Sequence, residues 1–362
     1  MTRIFGNIYK GKRVLVTGDT GFKGSWLVIW LKMLGAEVAG LSINIPTKPS
    51  NYVVSGLEKK IEHHQVDIRD YEKVLGVLKS FRPDIIFHLA AQALVRESLN
   101  DPKTTFETNI LGTVNILEAM RKYNKNIPGV IITSDKCYRN RELDRSYLEN
   151  DELGGNDPYS ASKGAAELVC RSYANIYSLR IVTTRAGNVI GGGDWAQDRI
   201  IPDCIRAWSN GKTPLIRQPN ATRPWQYVLE SLSGYLWLGV KLLKNPDKFR
   251  GQAYNLGPNK KDHLVIDLVK ALNKYWPEVK WREDKTGKGA KGECKLLKLN
   301  CRKALSDLKW HTVLSFEDMV KMTADWYSNY YTKKGDMYEF STNQIKEYVK
   351  IAQKQKMIWT KQ

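Results

Sequence analysis

Val14-Leu15-Val16-Thr17-Gly18-Asp19-Thr20-Gly21-Phe22-Lys23-Gly24 joins a run of aliphatic residues directly to a helical pattern, Trp26 to Leu34. A strand entering three glycines at this spacing and leaving as a helix has a physical use. The glycines permit a tight turn, let backbone approach a pyrophosphate, and let the helix pack close on the strand. The helix N-terminus then presents unpaired N–H groups and the positive end of its dipole to the phosphates. Gly18, Thr20, Gly21, Phe22 and Gly24 are therefore expected to hold a dinucleotide.

Working outward, β-branched runs alternate with amphipathic patterns, which predicts a doubly wound (Rossmann) parallel sheet in an α/β chain. The predicted strands are Arg13 to Thr17, Glu37 to Leu41, Ile85 to Leu89, Gly129 to Ser134 and Arg180 to Arg185. Helices are predicted over Trp26 to Leu34, Tyr71 to Ser80, Thr104 to Tyr123 and Ser160 to Tyr177. From Gly191 the alternation weakens and Pro, Trp and Arg gather in short segments. The chain thus divides into a dinucleotide-binding domain, 1–185, and a smaller mixed α/β substrate domain, 186–362, some of whose segments return to the first. The tail from Lys346 reads as a basic helix or a frayed end.

At 362 residues, with 42% hydrophobic and 26% charged, the composition is that of an ordinary globular protein. The longest apolar stretch near the start, Trp26 to Leu34, is interrupted by Lys32 and is too short for a membrane span. With no charged-then-apolar leader, the expected address is the cytoplasm. Cys137, Cys170, Cys204, Cys294 and Cys301 form no C-x-x-C pair and no metal spacing with the histidines, so reduced, packed thiols and no metal site are expected. The net charge of +19 is scattered, and its one dense run, Lys285 to Lys298, is Gly-rich without interleaved aromatics, which argues against nucleic acid. Such a field does draw in anionic small ligands.

The acid expected about 20 residues beyond the glycine loop, on the adenosine ribose, is missing, and the nearest match is Asn44. Asp67-Ile68 falls where such folds meet the adenine. Tyr159-x-x-x-Lys163 puts a phenol and an ammonium on one helical face. An ammonium there stabilises a phenolate, so the phenol can take a proton from an alcohol as hydride leaves. Ser134, at the carboxyl end of a predicted strand, lies in the ligand crevice of an open sheet. Ser134, Tyr159 and Lys163 together read as a hydroxyl-to-carbonyl oxidation site.

These motifs, with His88-Leu89-Ala90-Ala91-Gln92, resemble the extended short-chain dehydrogenase/reductase superfamily. Longer strings narrow the likeness: Gly21-Phe22-Lys23-Gly24-Ser25-Trp26-Leu27, Ser134-Asp135-Lys136-Cys137-Tyr138, Arg185-Ala186-Gly187-Asn188-Val189-Ile190-Gly191-Gly192-Gly193-Asp194-Trp195 and Arg223-Pro224-Trp225-Gln226. They are similar to the CDP-glucose 4,6-dehydratases, from Gly11 to about Tyr327. The resemblance implies NAD as cofactor, touched also by Leu89, Ala90, Ala91 and Asn109, and a nucleotide-sugar substrate, CDP-glucose. It implies that Asp135 protonates the departing C6 hydroxyl while Lys136 acts on the C5 proton or serves as an electrostatic group. A pyrophosphate needs fixed cations, for which Arg223 and Arg199 are the candidates, and Gln92 and Asn188 join the substrate side. Tyr227 stands where that pattern has histidine, a change expected at the site edge. A homodimer through Thr104 to Tyr123 and Ser160 to Tyr177 is a further implication. Two other readings remain open: another nucleotide-sugar dehydratase or 4-epimerase, and a non-catalytic dinucleotide sensor or RNA-associated protein.

Overall fold

The computed structural model describes residues 4–258, 263–276, 280–284, 296–333 and 335–361. The run Lys285 to Lys298 lies almost wholly outside the described residues, as does Cys294.

Seven parallel strands form the central sheet: β1 (Arg13–Thr17), β2 (Glu37–Ser42), β3 (Glu62–Gln65), β4 (Ile85–His88), β5 (Gly129–Ile132), β6 (Ile181–Ala186) and β7 (Ala253–Leu256). Their order is β3-β2-β1-β4-β5-β6-β7. The five strands expected from sequence are all present, with ends shifted by no more than two residues. The other two escaped the reading for a physical reason. β3, Glu-His-His-Gln, is an edge strand with no buried side chain, so it shows no apolar pattern. β7 is four residues long and joins β6 from 67 positions beyond that strand's end.

Direction of winding reverses between β1 and β4, and the crevice beyond their carboxyl ends is where such sheets bind ligands. Helix α1 (Phe22–Met33) starts four residues earlier than the apolar pattern suggested, because the glycine loop runs straight into it. α2 (Tyr71–Phe81) is capped by Asp70 and packs on α3 (Gly112–Asn124). The helix expected over Thr104 to Tyr123 is broken: Pro102–Phe106 passes into a wide π turn, Glu107–Leu111, before α3 begins. π turns gather at functional sites, and this one carries the buried Asn109. α4 (Pro158–Ile176) starts at an Asp157 cap with Pro158 in its first turn.

The second lobe contains α5 (Ile200–Ser209) and three two-stranded pairs: Val189–Ile190 with Gln226–Tyr227, Thr222–Arg223 with His263–Leu264, and Leu215–Ile216 with Arg282–Glu283. The expected division at residue 185 is interleaved in space. α6 (Val228–Lys244) lies against β5 and β6, and β7 completes the main sheet.

Of the two readings of the tail, a basic helix or a frayed end, the structure shows the helix, and shows it packed. α7 (Phe316–Ser328) is followed by α8 (Met337–Lys354), which packs on α1 and ends in a buried turn, Ile358–Thr360. Trp359 has no solvent exposure and stacks on Phe5 at 5.0 Å and on Tyr348 at 5.9 Å. Apolar residues spaced along α8, among them Met337, Ile345, Tyr348, Val349 and Ala352, outweigh the lysines that made the segment look solvated. Trp359→Ala should therefore cost about 3–5 kcal/mol, checked as a lower denaturant midpoint; a loss within about 0.5 kcal/mol, the level of ordinary surface substitutions, would show the tail to be a frayed end.

Candidate active site

The glycine loop is built for close approach. Gly18 has φ +75°, and a β-carbon there would lie 2.7 Å from the Ala90 nitrogen. The loop thus touches the segment after β4, and Leu89, Ala90 and Ala91 border the same crevice. At Gly24 a β-carbon would meet the Gly18 carbonyl oxygen at 2.0 Å, so only glycine lets α1 sit this close. No side chain caps the start of α1. This cradle and its uncapped helix end fit a dinucleotide pyrophosphate.

Around it, Thr20 donates its hydroxyl to the Asn44 carbonyl at 2.7 Å, which places Asn44 beside the loop. Asp67, just beyond β3, accepts from the Arg69 backbone and guanidinium at 2.7–2.9 Å. Ile68 is buried against Gly112. Asp19, in the loop itself, turns away from the crevice: it is fully buried, accepts from Ser42 at 2.6 Å and pairs with His63 at 2.9 Å. That ion pair holds the His63 ring above its usual range.

The expected catalytic groups converge. Ser134, two residues beyond the end of β5, donates to Asp135 Oδ1 at 3.0 Å, while its oxygen accepts from the Lys136 N–H at 3.2 Å. Tyr159 and Lys163 face it from α4, with the Lys163 Nζ 6.0 Å from the phenol ring centre. Ser134, Asp135, Tyr159 and Lys163 are all buried, and Lys136 is half-buried. Burial sets the proton affinities. It pushes the Tyr159 phenol up to about 12, against a downward pull from the Ser134 hydroxyl, and lowers Lys163 to about 8, with the Glu167 carboxylate opposing. The sequence predicts a phenol lowered by the neighbouring ammonium; burial instead raises it, because removal from water disfavours the phenolate. Burial also raises the Asp135 carboxyl, against Lys136, Ser134 and Arg223.

Asp135 Oδ2 is buried with no hydrogen-bond partner, and it faces Gly187, where a β-carbon would lie 3.2 Å away. A buried carboxyl oxygen without a partner calls for one, which a hydroxyl of a bound molecule would supply. Arg199, at the start of α5, binds Asp194 at 2.8 Å and acts on Tyr159; Arg223 acts on Asp135 from the other side. Asn188 is half-buried between β6 and Val189–Ile190.

Two expected residues point elsewhere. Gln92 uses its side-chain amide on Leu94 and Thr105, and its N–H donates to Asn109 Oδ1 at 2.8 Å, so its amide closes its own loop instead of reaching the crevice. Asn109 in turn donates to the Gln92 carbonyl at 3.0 Å and to Ser162 at 2.9 Å, bracing the loop against α4. Tyr227 is fully buried, donating to Gln344 at 2.8 Å, so it packs in the core away from the site edge. The sequence reading passed over Lys23, although it lies inside the quoted loop. Its ammonium is lowered to about 7 by burial and by Lys163 and Arg199, with Asp135 and Asp194 opposing, which places it among the site's charges. Asp194, lying in the quoted glycine-rich string, was likewise readable as a polar group beside the crevice.

Residues 15–323 match the family model described as GDP-mannose 4,6 dehydratase. The chain belongs to the GDP-mannose 4,6 dehydratase family. It is 41% identical over 355 residues to a CDP-glucose 4,6-dehydratase of Salmonella typhimurium, covering 95% of this chain and 98% of that one. A dTDP-glucose 4,6-dehydratase of Xanthomonas campestris is 27% identical, with 86% of this chain and 92% of that one covered. Among solved structures, the UDP-glucose 4-epimerase of Thermus thermophilus in complex with NAD superposes with a TM-score of 0.74 at 26% identity, over 87% of this chain and 98% of that one. Membership in this family accounts for the parallel sheet and for the strings that surround the crevice. Among the described residues no helix is long and apolar enough to cross a membrane, and no three His, Cys, Asp or Glu side chains gather as a metal site requires.

Asp135 yields a stability prediction. Its folded pKa lies above its unfolded value of about 3.9, so the folded chain holds the proton longer. Stability therefore falls as pH rises from that unfolded value to the raised one and then levels. Asp135→Asn removes this penalty. The variant should melt above the unchanged chain at about pH 8, with the gap shrinking toward about pH 4. Melting curves across that range check it; a gap that widens on acidification would contradict the sign.

Proposed function

We propose that the chain is an NAD-dependent hydro-lyase that converts CDP-glucose to CDP-4-keto-6-deoxyglucose, for deoxysugar synthesis. One observation carries the reading: Ser134, Asp135, Tyr159 and Lys163 meet just beyond β5, and Asp135 Oδ2 is buried there without a hydrogen-bond partner. The 41% identity to a CDP-glucose 4,6-dehydratase, over nearly both whole chains, supports the substrate.

Bound in the crevice, NAD supplies a hydride acceptor for C4 that serves again as the donor to C6. Gly18, Thr20, Gly21, Phe22 and Gly24 hold its pyrophosphate, Asn44, Asp67 and Ile68 its adenosine, and Leu89, Ala90, Ala91 and Asn109 shape the nicotinamide end. Tyr159 takes the proton of the C4 hydroxyl, with Ser134 donating to the same oxygen and Lys163 supplying positive charge beneath the ring. Once C4 is a ketone, the C5 proton is acidic and Lys136 removes it. Asp135, whose hold on its proton burial strengthens, passes that proton to the C6 hydroxyl, which leaves as water, and Lys136 returns its proton to C5 as C6 receives the hydride. Arg199 and Arg223 pair with the pyrophosphate of the sugar nucleotide, and Asn188 contacts the sugar side. The exposed apolar side chains Phe106, Leu111, Leu168, Ile176 and Tyr177, spread over the segment that leads into α3 and over α4, support a homodimer through those helices. A cytoplasmic address suits the unpaired thiols Cys137, Cys170, Cys204 and Cys301.

Incubation with CDP-glucose, TDP-glucose and GDP-mannose, followed by mass spectrometry, tests the reading. A 4-keto-6-deoxy product from CDP-glucose is expected; an epimerised sugar that keeps its C6 hydroxyl would reject it. Tyr159→Phe should lower turnover roughly 10²–10⁴-fold while NAD still binds, and loss of the cofactor would assign Tyr159 to binding instead. Asp135→Asn should oxidise C4 and then stop. Quenching that variant with borodeuteride is expected to place deuterium at C4 of a hexose that retains its C6 oxygen, and normal product formation would remove Asp135 from the mechanism.

A further inference from the structure

One helical turn after Lys163 on α4 stands Glu167, a carboxylate with 4% exposure. Its Oε1 accepts from the Thr133 hydroxyl at 2.5 Å. Its Oε2 accepts from the Thr183 hydroxyl and from Arg185 Nη2, each at 2.8 Å. Thr133 is the residue before Ser134, and Thr183 and Arg185 lie on β6. A single side chain thus ties the helix carrying Tyr159 and Lys163 to the strand end carrying Ser134 and to the next strand of the sheet. Arg185 is fixed in turn, donating through Nη1 to the Tyr138 hydroxyl and the Glu149 carbonyl, both at 2.8 Å.

We propose that Glu167 is a positioning residue of the site, holding Ser134, Tyr159 and Lys163 in register and acting as the buried counter-ion that keeps Lys163 an ammonium. The charge argument follows from position. Residues four apart on a helix are neighbours, and a buried ammonium without an opposite charge gives up its proton. Around Lys163 lie Glu167 and Cys170 on α4, Cys137 beyond β5, His88 at the end of β4, Lys23 on α1, and Tyr159. Burial holds both cysteines as thiols and the His88 ring neutral, so none of the three offsets the ammonium as a full charge. Lys23 repels it. Glu167 is the strongest influence that keeps the proton on Lys163 against burial. It is also the carboxylate with three fixed donors, so its own place is over-determined.

This rests on the proposed proton transfer by Tyr159 and Lys163, and the experiment separates the two. Glu167→Gln keeps the shape and removes the charge. The high-pH limb of kcat should move down by at least about one pH unit. The carbon-13 resonance of Lys163 Cε, assigned with Lys163→Arg and recorded without any substrate, should titrate correspondingly lower. Glu167→Asp retains the charge, and both readouts should stay near those of the unchanged chain. Should Glu167→Gln not fold because Arg185 is left without its partner, the double variant Glu167→Gln/Arg185→Met removes the buried pair together, a replacement that folds tend to tolerate, and both readouts should still move down, by less than in the single variant because the Arg185 cation leaves with the carboxylate. A fall in kcat at every pH with an unmoved limb and an unmoved Lys163 titration would make Glu167 a mere brace and overturn the proposal. The titration decides this even if CDP-glucose proves not to be the substrate, which would sink only the assigned reaction.

Discussion

The approach of α1 to β1 at Gly24 governs the rest of the molecule. With 2.0 Å between the position of a β-carbon there and the Gly18 carbonyl oxygen, any larger residue would push the helix off the turn. Set at that distance, α1 aims its uncapped end into the crevice and presents its opposite face to the tail. Phe5, Trp30, Tyr348 and Trp359 pack there edge to face and in stacks, so both ends of the chain are clamped against the same helix. The loop geometry at the phosphate site and the aromatic cluster behind it are two sides of one packing decision.

The parts of the fold legible in sequence were those with a local periodic signal. β1, β2, β4, β5 and β6 are buried strands whose aliphatic runs announce themselves, and α2 and α4 carry both a cap and an amphipathic face. β3 and β7 were not legible, one because an edge strand needs no apolar side chain, the other because its pairing is a long-range event that no window of sequence contains. The tail was legible only as a helix or a frayed end, for a related reason. Its lysines face water while its apolar residues answer to aromatics more than 300 positions away, so the burial that stabilises it is invisible locally.

For the site, motif spacing located the reacting groups but not their surroundings. Ser134, Asp135, Tyr159 and Lys163 fall together as their positions at strand and helix ends require. Gln92 and Tyr227 show the opposite case, because a position next to a motif says nothing about which way a side chain turns. The same limit hid Glu167 and Asp19, whose partners come from other strands. The order of proton affinities was equally out of reach, since it depends on how completely each group is removed from water.

The charges around the crevice bear on the anion proposed as substrate. Lys23, Lys163, Arg199 and Arg223 act on one another or on the two acids Asp135 and Asp194 within the crevice. Cations crowded at low dielectric destabilise one another, which is why burial and the neighbouring charges Lys163 and Arg199 depress the Lys23 ammonium to about 7. An incoming diphosphate relieves that repulsion, whereas a neutral sugar does not. Scattered surface lysines draw many anions toward the protein, and under the proposed function the crevice would favour one that carries its charge on a pyrophosphate next to a hexose. On that reading the long-range field governs encounter, and the half-buried cluster of cations around Lys163 governs choice.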